Sequence, residues 1–142
     1  DMGNAFQFAS EDLRSDKEIA LAAVTDMGRA LQFADDTLKM DTEVVLAAVK
    51  TNGYALEYAN NTLKSDKEVV LAAVKNCGSA FEYVDKEATM WADKDFVSSM
   101  VKLNGNSLQY AADTLKADKE VVLIAVSKNG EALKFAKPPL NQ

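Results

Sequence analysis

The sequence contains no histidine, and this absence removes several chemistries at once. A Ser-His-Asp triad, a Cys-His pair, a His-ligated zinc site and a switch that titrates near neutral pH all need an imidazole. A single cysteine, Cys77, cannot form an internal disulfide, which favours a reducing compartment. We therefore expect a non-enzyme with no catalytic residue, no metal site and no cofactor.

Long apolar runs and clustered positive charge are also missing. The longest apolar stretches, such as residues 44–49, have six residues, whereas a helix needs about 20 to cross a bilayer. The 16 Lys and Arg residues are outnumbered by 22 Asp and Glu, and the two signs are interleaved along the chain. Binding to nucleic acid or to an anionic membrane needs clustered cations, so we expect neither as a partner. We also expect no small-molecule ligand. The compartment is unknown; a soluble intracellular or intra-organellar location is favoured.

Glycine is scarce, and all six glycines fall at one position of a repeated unit. The intervals between them are 25, 25, 25, 27 and 25 residues. A period this regular is typical of solenoids and related arrays, in which each unit packs on its neighbours. The repeat glycines are Gly3, Gly28, Gly53, Gly78, Gly105 and Gly130.

An aspartate stands twelve residues before each later glycine and predicts the start of a helix. Its carboxylate can accept free backbone N–H bonds and complement the helix dipole. A cation site is the alternative for this acidic row, but no copy has the loop pattern of a calcium site, so capping is favoured. The predicted capping residues are Asp16, Asp41, Asp66, Asp93 and Asp118.

The first helix of each unit carries the pattern Val-Val-Leu-Ala-Ala-Val or a close variant. Because nearly every position is apolar, we expect this helix to be covered on several sides and to form the inner layer. It should end near the glycine, where Asn52-Gly53 and Asn129-Gly130 suit a left-handed C-terminal cap.

A second helix should begin at once and form an amphipathic outer layer. In the third copy Ala55, Leu56, Ala59 and Leu63 fall on one α-helical stripe. In the last copy Pro138-Pro139 should end this helix. The fifth place after each glycine is aromatic, and the stacked rings are interpreted as core filler, with an aromatic groove for a peptide or ligand as the alternative. Those aromatics are Phe8, Phe33, Tyr58, Tyr83, Tyr110 and Phe135.

Together these patterns predict an all-α fold, an α-solenoid of tandem two-helix repeats of about 25 residues with about eleven short helices. We expect residues 1–142 to form one helical-repeat domain. The chain begins at Asp1 within a repeat motif, so we also expect a fragment or processed piece of a longer protein.

The repeat pattern is interrupted between residues 85 and 101, which hold the two-residue insertion and the one tryptophan. One interpretation is local compensation, with Trp91 and Met100 filling space lost by Ser98. The other is a partner-docking patch formed by Met90, Trp91 and Phe96, since Trp is favoured at interaction hot spots. Elsewhere, Tyr54 follows its glycine at a place that varies between copies, and we predict that it also contacts a partner.

The unit Leu-Lys-Ser-Asp-Lys-Glu-Val-Val-Leu-Ala-Ala-Val, followed by Gly-x-Ala-(Leu/Phe)-x-Tyr, resembles the helical repeat family known as domain of unknown function 4116. The resemblance covers essentially the whole chain, although it is weak over residues 85–101. It implies tandem helical repeats within larger proteins, and no catalytic residues to carry over.

The function that we expect is that of a non-catalytic helical-repeat scaffold or protein–protein interaction module. Variable outer residues on a constant core are typical of binding modules. A structural or linker subunit buried in a large multiprotein complex is the alternative, and a part of an enzyme whose catalytic domain lies elsewhere is a weaker one.

Overall fold

The computed structural model describes residues 1–138, so Pro139 of the predicted Pro138-Pro139 helix end lies outside the described residues. Every regular element in this part is helical, and there are nine α-helices and seven 3₁₀-helices. The α-helices are α1 (Met2–Phe6), α2 (Glu11–Arg14), α3 (Lys17–Asp26), α4 (Asp36–Lys39), α5 (Thr42–Thr51), α6 (Lys67–Asn76), α7 (Lys94–Leu103), α8 (Asp113–Lys116) and α9 (Lys119–Lys128). The 3₁₀-helices are η1 (Gly28–Phe33), η2 (Gly53–Tyr58), η3 (Leu63–Ser65), η4 (Gly78–Tyr83), η5 (Thr89–Ala92), η6 (Gly105–Tyr110) and η7 (Gly130–Phe135).

The prediction of an all-α fold built from tandem repeats is confirmed. The composition of the unit differs from the expected two helices, because a typical unit has three helical segments. A ten-residue α-helix such as α5 is followed by a six-residue 3₁₀-helix such as η2 and then by a short helix of three or four residues. This third segment raises the number of helices in the described residues from the expected eleven to sixteen.

Aspartates cap all five ten-residue α-helices, as predicted. The carboxylate of Asp93, for example, accepts the N–H of Phe96 at 2.9 Å, and that of Asp16 accepts the N–H of Ile19 at 3.0 Å. These bonds satisfy backbone donors that the first turn of a helix leaves free. The other capping residues are Asp41, Asp66 and Asp118.

The ten-residue helices bury one broad face. In α5 the side chains of Val44, Val45, Ala48 and Val49 are buried, at positions i, i+1, i+4 and i+5. The two central residues of the apolar hexapeptide, Leu46 and Ala47, are only half-buried. The helix is therefore covered on its core side but keeps a partly exposed outer side, which the run of six apolar residues did not indicate.

The segment after each glycine is a 3₁₀-helix in five of the six units, which corrects the predicted α-helix. In η2 the buried residues are Gly53, Ala55 and Leu56, and the helix ends at Tyr58. Residues three apart eclipse one another in a 3₁₀-helix, so the glycine and the leucine face the neighbouring unit together. Leu63 belongs to the separate helix η3. The last 3₁₀-helix ends at Phe135, before Pro138, just as η2 ends without a proline.

The predicted left-handed caps are wrong. No residue of the described range has a positive φ angle, and Asn52 is extended, with φ −151° and ψ 108°. At three of the six repeat positions, Gly28, Gly53 and Gly105, glycine is needed instead because the backbone of the next unit approaches closely. A Cβ atom at Gly28 would lie 2.5 Å from the carbonyl oxygen of Ala48 in the next unit, and one at Gly105 equally close to that of Ala125.

The contacts divide the chain into two compact units, Asp1–Asp85 and Lys86–Gln142. In the first unit α1, α3, α5 and α6 pack in chain order, with η1, η2 and η4 packed in the same order beside them. In the second unit α7 packs on α9 and η6 on η7. The prediction of a single domain over 1–142 stays a prediction. Within residues 1–138 no helix is both long and apolar enough to cross a membrane.

Candidate functional site: clefts at the repeat boundaries

Three surface clefts recur at one place of the repeat, where the short third helix of a unit meets the 3₁₀-helix of the next. Cleft A, about 440 Å³ in volume, is lined by Glu11, Asp12, Arg14, Ser15, Phe33, Ala34, Asp35 and Asp36. Cleft B, about 370 Å³, is lined by Asp36, Lys39, Tyr58, Ala59, Asn60 and Asn61. Cleft C, about 240 Å³ and in the second unit, is lined by Lys86, Glu87, Ala88, Thr89, Trp91, Ala92, Tyr110 and Ala112.

One backbone hydrogen bond builds the floor of each cleft. The N–H of Asp35 donates to the carbonyl of Arg14 at 3.0 Å, and that of Asn60 donates to Lys39 at 2.9 Å. In the second unit the N–H of Ala112 donates to the carbonyl of Trp91 at 2.9 Å. Because main-chain atoms make these bonds, this connection across the cleft does not depend on the side chains around it, which can vary.

The wall of each cleft is the fifth-place aromatic. Phe33, Tyr58 and Tyr110 are half-buried in clefts A, B and C, and Phe8 in the first copy is 84% exposed. The interpretation of the aromatics as core filler is therefore wrong; the core is formed by buried third-place residues such as Leu56. The Tyr58 hydroxyl accepts a hydrogen bond from the Arg29 guanidinium at 3.0 Å, which raises the pKa of Arg29.

The charge that surrounds the clefts differs from one to the next. Cleft A has four carboxylates around one guanidinium, whereas cleft B has Asp36 and Lys39 together with two amides. The Asp35 carboxylate in cleft A accepts the hydroxyl of Thr37 at 2.6 Å and its N–H at 3.0 Å, and these bonds lower the pKa of Asp35. In cleft C the ammonium of Lys86 lies 5.9 Å from the centre of the Tyr110 ring.

The structure buries the three residues that the sequence placed in a docking patch. Met90 and Trp91 are each 3% exposed and Phe96 is 2% exposed. The Trp91 ring lies 5.2 Å from the Phe96 ring and 5.8 Å from the Tyr110 ring, measured between centroids, and it contributes to the lining of cleft C. Their burial favours packing over docking, and their role in partner binding stays a prediction.

The compensation of Ser98 by Trp91 and Met100 stays a prediction. Ser98 is half-buried, as are its counterparts Leu46 and Leu71. Met100 and Phe96 occupy the places of the buried Ala48 and Val44 of α5, and both are larger.

Tyr54 lies in the first compact unit, residues 1–85, and is half-buried. Its ring meets that of Tyr83 edge-on, with centroids 6.5 Å apart. A hydrogen bond with Glu82, partial burial and the charge of Glu57 raise the pKa of Tyr83 to about 12. Both rings of this tyrosine pair are partly exposed, and the contact through Tyr54 stays a prediction.

Sequence reasoning offered an aromatic groove as the alternative for the fifth-place aromatics but did not locate the clefts, although a further signal was present. Arg14, Lys39, Lys64 and Lys116 stand two residues before a capping aspartate and form a basic row. In the repeat that begins at Asp93, the same place holds Trp91 instead of a basic residue. The available signal was the change of residue type at this place between repeats. The sequence alone does not show that this place lines a cleft.

The repeat pattern matches a family model named Domain of unknown function (DUF4116) over residues 2–39, 41–87 and 93–141. The chain belongs to the DUF4116 family. No curated protein and no solved structure gives a significant match to it. The second DUF4116 match ends close to the end of the first compact unit at Asp85. Residues 88–92, which include Met90 and Trp91, lie outside the matched segments.

Proposed function

We propose that this DUF4116 chain is a non-catalytic interaction module and that clefts A and B bind an extended segment of a protein partner. The observation that supports the proposal is the combination of constant floor and variable lining. The same backbone bond forms both floors, yet Arg14 is replaced by Lys39 and Asp35 by Asn60 one unit later. A fixed frame with different side chains in successive clefts is suited to reading different side chains of one ligand.

We expect clefts A and B to repeat at the distance between packed helices, and this distance suits a ligand in the polyproline II conformation. Packed helices lie about 8–10 Å apart, and clefts A and B belong to successive units whose helices α3 and α5 are in contact. A polyproline II segment advances about 3.1 Å per residue with three residues per turn, so side chains three apart point the same way about 9 Å apart. Two such side chains would enter clefts A and B together.

The lining of the two clefts indicates what these side chains are. Phe33 and four carboxylates in cleft A suit a lysine or arginine, since a cation is attracted both to the aromatic face and to the charges. Cleft B combines the half-buried Tyr58 with amides of Asn60 and Asn61, which suits a polar or aromatic side chain. The amides can both donate and accept hydrogen bonds.

Selection from a displayed peptide library on the purified chain tests the proposal. Selected peptides should share a basic residue and a second preferred residue three places away. Tyr58→Ala and Phe33→Ala should each weaken binding of these peptides about tenfold, which corresponds to the loss of one well-packed aromatic contact. Lys50→Ala is the matched control, because its exposed side chain lines none of the three clefts. No enrichment, or equal losses with Lys50→Ala, would contradict the proposal.

A structural subunit of a larger complex is the second candidate, and the last repeat supports it. Leu133 is 61% exposed and Leu123 is 56% exposed, whereas the counterparts Leu56 and Leu108 of Leu133 are fully buried. Contiguous exposed apolar surface is typical of sites where another protein or a further element packs. Affinity purification of the native protein should then recover a stoichiometric, salt-resistant set of partners that Leu133→Glu releases and Tyr58→Ala retains. Release by Tyr58→Ala instead would favour the clefts.

A further inference from the structure

Three Asn-Gly pairs stand at the same junction of the repeat, between a ten-residue α-helix and a 3₁₀-helix. They have nearly identical backbones, with asparagine φ and ψ angles of −151° and 108°, −150° and 105°, and −150° and 112°. In each pair the asparagine Oδ1 accepts the N–H of the residue two places on, at 3.0 Å. The pairs are Asn52-Gly53, Asn104-Gly105 and Asn129-Gly130.

The three pairs differ in what covers the glycine. Gly53 is buried, and its N–H donates to Asn76 Oδ1 at 2.7 Å. Gly105 is buried under the carbonyl of Ala125. Gly130 is exposed, and within residues 1–138 no atom outside its immediate neighbourhood lies within 4 Å of a Cβ built on it.

We propose that Asn129 is a site of spontaneous deamidation in this chain, and that the neighbouring units protect Asn52 and Asn104 from the same reaction. The backbone nitrogen of Gly130 loses its proton and attacks Cγ of Asn129. The new N–Cγ bond closes a succinimide, and the Cγ–Nδ2 bond breaks, so that ammonia leaves with the proton. Water then opens either imide carbonyl and gives aspartate or isoaspartate at position 129.

Local opening controls the rate at all three sites. The reaction needs the peptide plane after the asparagine to rotate away from its observed ψ, which breaks the bond that caps the 3₁₀-helix. Opening at Gly53 or Gly105 also separates that glycine from the next repeat, whereas the main contacts of η7 in the described residues are with α9 and η6, which precede it in the chain. Segments with fewer contacts open at lower free energy, so Asn129 should be the fastest of the three sites.

Deamidation would also weaken the last repeat contact. Asn129 Nδ2 donates to Asn106 Oδ1 at 3.1 Å, which joins η7 to η6. A carboxylate at position 129 has no N–H to donate and would face an acceptor oxygen. The product should therefore hold the last 3₁₀-helix less firmly than the intact chain does.

Incubation of the purified chain in mildly alkaline buffer, followed by peptide mapping with mass spectrometry, tests the proposal. The same incubation in denaturant gives the intrinsic rate of each Asn-Gly pair, which serves as the reference. The folded chain should protect Asn52 and Asn104 at least about tenfold more than Asn129, because the rate follows the open population. Equal protection of all three pairs, or strongest protection of Asn129, would overturn the proposal.

Two variants separate the protection that a neighbouring repeat gives from the intrinsic reactivity of the Asn-Gly sequence. Gly130→Ala should remove most of the reaction at Asn129, because a side chain on the attacking residue hinders ring closure, and it should leave Asn52 and Asn104 unchanged. Asn76→Ala removes the acceptor of the Gly53 N–H. It should raise the rate at Asn52 several-fold and leave Asn129 unchanged, and an unchanged rate at Asn52 would show that the neighbouring unit does not protect it.

Discussion

The carbonyl oxygen of Ala48 lies 2.5 Å from the position that a Cβ atom on Gly28 would occupy. Real Cβ atoms do not approach other atoms so closely, so a side chain at residue 28 would displace the next unit. The same relationship joins Gly53 to Ala73 and Gly105 to Ala125. Glycine at these three positions is therefore a packing requirement of the contact between successive units, whereas Gly78 and Gly130 have no described atom within 4 Å of such a Cβ.

Replacing Gly28 by alanine should lower the free energy of unfolding by about 3 kcal/mol, which is the upper range for overpacking, because the opposing atom is backbone and cannot change rotamer. Gly130→Ala is the matched control: it has negative φ and no described atom opposite it. It should stabilise the chain by about 0.4–1 kcal/mol by reducing the freedom of the unfolded state. Urea denaturation of both variants measures the difference. Equal effects of the two substitutions would refute the packing role.

Replacing Ser107 by alanine should stabilise the second compact unit, Lys86–Gln142. The Ser107 side chain is fully buried, and its hydroxyl has no hydrogen-bond partner in the described residues. Counterparts such as Ala30, Ala55 and Ala132 are alanines with no exposed surface. Removing an unsatisfied buried hydroxyl should raise the free energy of unfolding by about 1–3 kcal/mol. Ser127→Ala is the control, since the exposed Ser127 hydroxyl bonds the Leu123 carbonyl and its loss should have little effect.

Trp91 fluorescence should be poorly quenched by iodide, because only 3% of its surface is exposed. Trp91→Ala should lower the free energy of unfolding by about 3–5 kcal/mol through the cavity beside Phe96 and Tyr110. Circular dichroism measures this unfolding in the absence of tryptophan. Phe8→Ala should be nearly neutral, since Phe8 is largely exposed. Strong quenching together with a stable Trp91→Ala variant would restore the docking patch.

Asp118 should make folding stability depend on acid pH. The Val121 N–H and the ammonium of Lys94, 3.1 Å away, hold the pKa of Asp118 below its usual value. Because the pKa of Asp118 is lower in the folded chain, its charge contributes stability above the pKa of an unfolded aspartate, about 3.9. This stability is lost as the pH falls through the folded-state pKa. Asp118→Asn keeps a capping oxygen but loses the charge, so it should destabilise the chain at neutral pH and match the parent at strongly acid pH.

A double-mutant cycle with Lys94→Met checks the assignment of this effect. If the ion pair carries the pH dependence, the Asp118→Asn substitution should have a smaller effect on stability in the Lys94→Met background. An unchanged effect in that background would assign the pH dependence to the helix cap alone.

Local signals in the sequence were enough for the long helices. A capping aspartate such as Asp41 and the apolar run that follows it act within a few residues, so their outcome does not depend on distant contacts. The period of the glycines likewise predicted the tandem repeat, and the DUF4116 match confirms it. The short segments were less predictable, because Gly53 and Leu56 are three apart and would lie on one side of either an α-helix or a 3₁₀-helix.

The sequence by itself determined that the chain is helical and repeated, because capping and apolar periodicity are encoded within each unit. Only the tertiary structure decided that residue 28 must be glycine because the carbonyl of Ala48 lies against it, that Tyr58 lines a cleft instead of the core, and that Trp91 is buried. Each of these depends on a residue about 20 or more positions away being brought into contact. The pattern within one unit contains no information on the distance to the next, and that distance is set only when the units pack.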